Sequence, residues 1–261
     1  MKRIKTGLTG FILGDWLGMP YRGKGKGTFK PVWKKSYLRG DKCSGNTSML
    51  LCALDSHYNL ELYRQNLKDW YFNKKYTGEN IEFDIDQVTQ KAIMKNFRGV
   101  SSDSNSGNRS LMGCCVLAFS SLSKEEILPF IKATHNSRYS FKYTWFFIEF
   151  IRCLLKYEDK EQALQQAQQR CDVEINRQNL YNGSFVVDTV ESVINWFMAG
   201  NSYKECVFLA INAGKSSDAV GALTGLLAGI YYGLDLKNGV KGFSTMEPCI
   251  DSFIQYLNPT L

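Results

Sequence analysis

Residues 212–233 read NAGKSSDAVGALTGLLAGIYYG, a short polar loop followed at once by a long apolar segment. Within the apolar part, Gly221, Gly225 and Gly229 recur every four residues. Spacing by four places these glycines on one face of a helix, where a second helix can approach closely. Each interior glycine costs roughly 1 kcal/mol of helix propensity relative to alanine, so close packing must offset that cost. The stretch therefore predicts a buried central helix over 217–233 whose N-terminal loop is held rigidly.

The N-terminus of the chain carries the same pattern. A helix predicted at about 5–18 has glycines at 10, 14 and 18, so we expect the two helices to pack together through their glycine faces. The polar loop 214–218 has two interpretations. It is the cap of a core helix, with Ser216 or Ser217 as the N-cap, or it is a helix N-terminus that binds an anion.

Helical periodicity recurs along the chain, while alternating strand patterns are almost absent. Further helices are predicted at about 46–58, 60–74, 86–97, 107–121, 124–134, 140–157, 160–171, 184–199, 202–213 and 246–257. Ser123 with Glu126 forms a capping box at the start of one of them. No period of 20–50 residues repeats, which argues against a solenoid. The sequence predicts an all-α fold of about a dozen helices in one compact domain, residues 1–261.

The composition is that of a globular protein, with 44% hydrophobic and 22% charged residues in 261. The formal net charge of +7 is scattered, so nucleic-acid binding is not expected. No window reaches the length of a membrane span. Eight cysteines lie mostly inside apolar helical patterns without a CxxC pair. They predict buried free thiols in a reducing compartment, and hence a cytoplasmic protein.

Two histidines and several polar loops supply the candidate chemistry. His135 lies between two predicted helices, while His57 is at a helix end. With only two histidines, spacing does not define a nucleophile–base pair. Polar stretches precede apolar helices at 44–47, 84–86, 104–109, 134–136 and 215–218. If these helix ends converge, they form a pocket lined with N–H groups and small hydroxyls that suits an anion.

Six motifs occur in an order that resembles one family. They are GFILGDWLGMP at 10–20, SGNTSM at 44–49, DIDQVT at 84–89, SGNRSLM at 106–112, TH at 134–135 and AINAGKSSDA at 210–219. They are similar to the GxxxGDALGxP, SDDTQM, DIGxTT, SxGNGxxMR, TH and AVNxGGDxDT motifs of the ADP-ribosylglycohydrolases, which include the dinitrogenase-reductase-activating glycohydrolases. The resemblance runs nearly end to end.

The resemblance implies an all-α fold, hydrolysis of ADP-ribose from protein side chains or related acceptors, and two Mg²⁺ ions held by two loops. The implied ligand positions are Gly45, Asn46, Thr47, Ser216, Asp218 and Ala219. Only Thr47 and Asp218 still match the family, and Mg²⁺ is held mainly by carboxylates. We therefore expect no two-metal centre and no cofactor. Lys215 either pairs with Asp218 as a substitute cation or reaches solvent.

Three further departures make the site more basic or change its shape. Arg22 lies about where many members of the family have a glutamate, Arg109 replaces the middle glycine of G-N-G, and Gly113 replaces the arginine of M-R. The two arginines either hold a phosphate-bearing ligand by charge-assisted hydrogen bonds or plug a pocket that no longer works.

Three functions follow from the resemblance and its departures. The first is a pseudo-hydrolase that binds ADP-ribose or a related nucleotide, or docks on an ADP-ribosyltransferase or its modified target, in a toxin-immunity or effector role. The second is an active ADP-ribosyl-[protein] hydrolase with a metal-poor site, in which Asp84 or Asp218 is the catalytic acid or base. The third is a structural or interaction protein with a closed pocket. In the pseudo-hydrolase interpretation, restoring the lost ligands is expected to recover Mg²⁺ binding. The expected ligand-binding residues are Asn46, Thr47, Gly107, Asn108, Arg109, His135, Lys215, Ser216, Ser217 and Asp218.

Overall fold

A computed structural model describes residues 1–30, 44–77, 84–98, 101–234 and 246–258. Over these ranges the chain is helical, and the two-residue bridge between Gly107 and Phe185 is the only β-type pairing. The helices are α1 (Lys2–Gly18), α2 (Gly45–Leu54), α3 (Leu60–Asn73), α4 (Gln87–Met94), α5 (Arg109–Cys114), α6 (Lys124–Thr134), α7 (Arg138–Lys156), α8 (Lys160–Cys171), α9 (Val186–Ala199), α10 (Tyr203–Asn212), α11 (Ser217–Tyr232) and α12 (Glu247–Leu257).

The centre of the fold is the pair α1 and α11. A Cβ atom built on Gly10 or Gly14 of α1 would overlap the backbone of Gly225 or Gly221 of α11, respectively. The Tyr203 hydroxyl of α10 donates to the Gly10 carbonyl at 2.8 Å, which ties a third helix to the pair. The predicted contact through glycine faces is confirmed. It also holds the N-terminus of α11 against the C-terminus of α1.

Most helix boundaries agree with the sequence pattern, and the differences have local causes. The predicted helix 46–58 ends at Leu54. His57 and Tyr58 take left-handed backbone conformations, through which a right-handed α-helix cannot continue. The predicted helix 107–121 is α5 followed by a 3-10 segment, Cys115–Phe119. The capping box at Ser123 and Glu126 is present. Ser216 is the N-cap of α11, although its side chain makes no capping hydrogen bond.

One continuous hydrophobic core joins the helices into a single compact domain. Its largest fully buried side chains include Trp16, Trp70 and Phe150. The seven cysteines in the described ranges are free thiols, five of them buried, while Cys43 lies outside those ranges. Among the described helices, none has both the length and the apolar character needed to cross a bilayer.

Candidate functional site

The site is built on Asp15, a fully buried carboxylate one turn before the end of α1. Its oxygens accept hydrogen bonds from the Ser44 hydroxyl, from the Thr47 hydroxyl at 2.5 Å and from the Asn46 amide at 3.0 Å. These three donors come from the N-cap and first turn of α2. Burial, together with the nearby negative charge of Asp218, raises the pKa of Asp15 to about 6. The carboxylate therefore joins α1 to α2 and changes charge near neutral pH.

Asn46 connects Asp15 to Asp218, at the end of the polar loop 214–218. Its Nδ2 lies 3.0 Å from an oxygen of Asp15 and 3.0 Å from an oxygen of Asp218. The two amide protons are thus directed at two different carboxylates, and both carboxylates are almost completely buried. The Asn46 amide donates hydrogen bonds to both carboxylates. A carboxylate at position 46 would instead repel Asp15 and Asp218, because it would add a third negative charge.

Arg22 lies between the carboxylates of Asp218 and Asp84. Its Nε donates to the Oδ2 atom of Asp218 at 2.7 Å, and its Nη2 lies 2.5 Å from the same atom. The same Nη2 donates to Oδ2 of Asp84 at 2.7 Å. The two acidic neighbours raise the pKa of Arg22 above its usual value, although burial opposes them. One guanidinium thus compensates a carboxylate that precedes α4 and one in the first turn of α11.

Asp84 has a second cationic neighbour in Arg109. The Nη2 atom of Arg109 lies 3.2 Å from both oxygens of Asp84, and the backbone N–H of Gly45 donates to Oδ2 at 3.2 Å. Burial alone would raise the pKa of Asp84, but the charges of Arg109 and Arg22 lower it to about 2. Asp84 is therefore ionised throughout the physiological range.

Position 45 has no room for a side chain. A Cβ atom on Gly45 would overlap the Asp84 carbonyl oxygen and the Nη1 atom of Arg109. The first overlap involves backbone and cannot be relieved by a rotamer change. A larger residue at this position therefore requires the segment at Asp84 to move.

A cavity of about 300 Å³ opens beside these charges. Its wall is made by residues from the polar stretches 44–47 and 215–218 and from the starts of α4, α5 and α11. They are Arg22, Asn46, Asp86, Gln87, Val88, Gly107, Asn108, Arg109, Ser184, Ser216, Asp218 and Ala219. Four of the five polar stretches expected to converge contribute to this wall, and 134–136 does not.

Three atoms of the cavity-lining residues are buried and have no hydrogen-bond partner within the described part of the chain. Asn46 Oδ1 and Asp86 Oδ2 are acceptors, and Arg109 Nη1 is a donor. Asp86 uses its other oxygen to cap α4, where it accepts from the backbone N–H groups of Val88 and Thr89. Buried polar atoms of native proteins are nearly always paired, so these three are available to a bound molecule.

The residues expected to bind ligand do not all reach the cavity. Asn46, Gly107, Asn108, Arg109, Ser216 and Asp218 line it. Thr47 is buried behind Asp15, and the Ser217 hydroxyl donates to the Gly18 carbonyl at 2.8 Å. These two side chains hold the loops against α1. The degenerate ligand position Ala219 is part of the wall.

Lys215 does not pair with Asp218. Its side chain is exposed, and its ammonium lies 5.5 Å from the centroid of the Tyr181 ring. The backbone of Lys215 is left-handed, with a φ of 55°, and its N–H donates to the Lys24 carbonyl at 2.8 Å. This conformation directs the side chain away from the carboxylates. The cation next to Asp218 is Arg22.

His135 is fully buried behind Gly107 and is not part of the cavity wall. Its Nδ1 lies 3.0 Å from the Thr134 hydroxyl, and its Nε2 has no hydrogen-bond partner in the ranges that the structure describes. Burial lowers the pKa of this imidazole, and the charge of Arg109 lowers it further against the opposing effect of Asp86. The histidine is thus neutral at pH 7, and a Cβ atom on Gly107 would lie 3.5 Å from its Nε2.

The sequence did not single out Asp15, Asp86 or Ser184 as site residues, although Asp86 belongs to the polar stretch 84–86 that was expected to border the pocket. The first two belong to quoted motifs, GDWLG and DIDQVT, so the signal was present. An acidic residue within an apolar helix, such as Asp15, does not by itself show whether it faces solvent or a site. Ser184 belongs to no motif that distinguishes it before the fold is known.

Comparisons with known proteins agree with this architecture. A family model described as ADP-ribosylglycohydrolase matches residues 1–240. An ADP-ribosyl-[dinitrogen reductase] glycohydrolase of Rhodospirillum rubrum is 30% identical over 76 residues, which are 29% of this chain and 26% of that protein. The ADP-ribosylarginine hydrolase Tri1 of Pseudomonas putida is 25% identical over 90% of this chain and 71% of its own.

Two further matches extend over nearly the whole chain. The protein of the same name from Serratia proteamaculans is 22% identical over 98% of this chain and 76% of its own length. A solved structure titled ADP-ribosylglycohydrolase-related protein complex superposes with a TM-score of 0.77 at 20% identity, covering 99% of this chain and 97% of that one. At that identity the superposition shows a shared fold.

Proposed function

This chain belongs to the ADP-ribosylglycohydrolase family, and on that premise we propose that it binds ADP-ribose or a related nucleotide without hydrolysing it. The observation that carries the proposal is the pairing of one guanidinium, that of Arg22, with both Asp218 and Asp84. Where the family resemblance implies metal ions, this site has a protein cation. We propose further that the ligand reaches the chain free or on an ADP-ribosylated cytoplasmic partner, in a toxin-immunity or effector role.

The residues present do not fit a pair of divalent ions. Of the six implied positions, Gly45 and Ala219 offer no ligating side chain, and the Thr47 hydroxyl is used by Asp15. The remaining carboxylate, Asp218, is already paired with Arg22. Mg²⁺ needs near-octahedral oxygen coordination with one or two available carboxylates, and two such ions would be poorly compensated here. We therefore derive no step of the chemistry through a metal.

The unpartnered atoms of the cavity suit part of an ADP-ribose molecule. A sugar hydroxyl both donates and accepts, so it can donate to Asn46 Oδ1 or Asp86 Oδ2 and accept from Arg109 Nη1. A phosphate oxygen would accept a charge-assisted hydrogen bond from the same guanidinium. A volume of about 300 Å³ is at the lower end for ligand pockets, roughly 300–1,000 Å³. The cavity therefore suits the terminal ribose and adjoining phosphate, with the rest of the ligand outside.

The second candidate function is an active hydrolase of ADP-ribosylarginine. The names of two relatives, both ADP-ribosylarginine hydrolase, favour it. Asp218 faces the cavity and would be the acid or base, with Asp84 ionised beside it. In this alternative the hydrolysis proceeds with a metal-poor site. The open cavity disfavours the third interpretation, a protein with a closed pocket.

Calorimetric titration of ADP-ribose with and without Mg²⁺ tests the proposal, paired with an assay of ADP-ribosylarginine peptide hydrolysis. Wild type and Asp218→Asn are compared, with the exposed Asp251→Asn as the matched control. We expect wild type to bind ADP-ribose equally with and without Mg²⁺ and to hydrolyse no faster than buffer. A wild-type rate that vanishes only in Asp218→Asn supports the active hydrolase instead. Absence of both binding and turnover supports the closed pocket.

A further inference from the structure

We propose that Arg22 is a tethered cation that keeps divalent ions out of the space between Asp84 and Asp218. The inference concerns a site that the proposed function uses, and it rests on that function only for its consequence, namely that ligand binding is independent of metal. Its own basis is the geometry of one guanidinium and three oxygen donors. Guanidinium and metal ion are alternatives here, because both would use the same oxygens.

Three contacts to two carboxylate oxygens fix the position of the guanidinium. Its Nη2 lies within 2.7 Å of Oδ2 of both Asp84 and Asp218, and its Nε donates separately to Asp218. Arg22 follows directly on the 3-10 turn Met19–Tyr21, which contains Pro20, so its backbone emerges from the end of α1 with little freedom. A charged group held this way loses less entropy on pairing than one on a flexible loop.

The carboxylates need a cation at this point. The side chain of Asp218 is 5% exposed, and its other described contact in the site is the neutral amide of Asn46. Asp15 is fully buried nearby and raises the local negative charge. Asp84 retains Arg109 if Arg22 is removed, whereas Asp218 has no second cationic partner among the residues that the structure describes. Removing Arg22 therefore leaves a nearly buried carboxylate uncompensated, a state that strongly favours uptake of another cation.

A second observation shows which kind of cation would enter. Asn46 is 1% exposed, and its Oδ1 has no hydrogen-bond partner among the described residues. Because its amide protons are used by Asp15 and Asp218, this oxygen is the free atom that the residue offers to the cavity it lines. The amide of the same residue lies 3.0 Å from Oδ2 of Asp218, so Oδ1 is a candidate third oxygen donor beside the two carboxylates that share the Arg22 guanidinium. Hard divalent cations prefer such donors. Without the guanidinium, the site is suited to a single Mg²⁺ or Mn²⁺ ion, with water completing the shell.

The test uses the full chain and metal ions alone, without ADP-ribose. Mg²⁺ and Mn²⁺ are titrated into wild type, Arg22→Gln and Arg22→Lys, followed by calorimetry and by the midpoint of thermal unfolding. Gln keeps much of the length of Arg22 without its charge, and Lys keeps the charge. Arg138→Gln, which removes an exposed ion pair with Asp103, controls for loss of a positive charge elsewhere.

We expect Arg22→Gln to bind Mn²⁺ about tenfold or more tightly than wild type, with a rise in unfolding temperature that the other three proteins lack. Adding Asp218→Asn to Arg22→Gln should abolish that gain. If Arg22→Gln is unfolded in buffer, recovery of its folded signal on addition of Mn²⁺ supports the proposal.

Equal metal affinity in wild type and Arg22→Gln, or an unfolded Arg22→Gln that Mn²⁺ does not rescue, would overturn it. A gain of metal binding that persists with Asp218→Asn would also do so. These outcomes are separate from those of the ADP-ribose experiment. The chain can bind ADP-ribose whether or not Arg22 excludes metal, and Arg22 can exclude metal in a chain that binds no ADP-ribose.

Discussion

The backbones of Gly10 and Gly225 are in direct contact, and the carbonyl oxygen of each residue lies where a Cβ atom on the other would have to be. A Cβ on Gly225 would overlap the Gly10 carbonyl oxygen, and a Cβ on Gly10 would overlap the Gly225 carbonyl oxygen. Because the contact is between main chains, no side-chain rotation can make room. The candidate site contains Asp15 of α1 and Asp218 of α11. The spacing of the two helices therefore sets the distance between these two carboxylates.

We predict that Gly225→Ala destabilises the protein by about 3 kcal/mol, since overpacking at a backbone contact exceeds the helix-propensity gain of about 1 kcal/mol. Urea unfolding measures the change. Gly25→Ala is the matched control, because its Cβ would meet the Thr28 side chain at an ordinary 3.4 Å and should change stability little. A Gly225→Ala protein as stable as the control would contradict the close contact.

Asn46→Asp should destabilise the metal-free protein by about 3 kcal/mol, because it replaces a donor to two carboxylates with a third buried negative charge. The amide now bonds to Asp15 and Asp218 at 3.0 Å each. Chemical denaturation in the presence of a chelator gives the measurement. Asn201→Asp, on an exposed residue at the start of α10, should be nearly neutral. Equal effects at the two positions would show that the bridging amide does not matter.

The raised pKa of Asp15 predicts how stability depends on pH. A carboxyl whose pKa rises from 3.8 to about 6 on folding favours the folded state fully below pH 3.8. That contribution is lost as the pH rises through 6. The free energy of unfolding of wild type, relative to Asp15→Asn, should therefore fall by up to about 3 kcal/mol between pH 4 and pH 7. Urea unfolding at both pH values measures it, with Asp251→Asn as the surface control. A difference independent of pH would contradict the assignment.

Much of the fold could be predicted because its determinants are local or periodic. The four-residue spacing of glycines in 212–233 and 5–18 predicted the central helix pair, and the capping box at Ser123 set the start of α6. What was missed depends on backbone conformation. Nothing in the pattern of 46–58 indicates that His57 and Tyr58 are left-handed, since these residue types give no such signal in sequence.

The site could be predicted only as a set of loops. The polar stretches 44–47, 84–86, 104–109, 134–136 and 215–218 were expected to converge, and the cavity wall includes residues of each except 134–136. The pairing of charges was not predictable, because it depends on directions in space. Lys215 is three residues from Asp218, yet its left-handed backbone directs it to Tyr181, while Arg22 reaches Asp218 from nearly 200 positions away in sequence.

That geometry changes what is needed to restore a metal centre. The sequence alone suggests that Gly45→Asp, Asn46→Asp, Lys215→Gly, Ser216→Asp and Ala219→Thr would recover Mg²⁺ binding. In the structure, however, a side chain at Gly45 meets the Asp84 carbonyl and the Arg109 guanidinium. Asp84 is held in place by Arg22, Arg109 and the Gly45 N–H. The five changes alone should therefore give a destabilised protein that binds Mg²⁺ no better than wild type.

Adding Arg22→Glu and Arg109→Gly should change that outcome, because both cations leave and the Asp84 segment is free to shift away from position 45. We expect the variant with all seven substitutions to bind Mg²⁺ at least about tenfold more tightly than the variant with five. It should also gain stability with increasing Mg²⁺. Calorimetry and thermal unfolding of the two variants, each with and without chelator, give the comparison. If the variant with five substitutions already binds Mg²⁺ as tightly as the variant with seven, then neither arginine opposes metal binding. In that case the loss of ligands alone explains why this site does not bind metal.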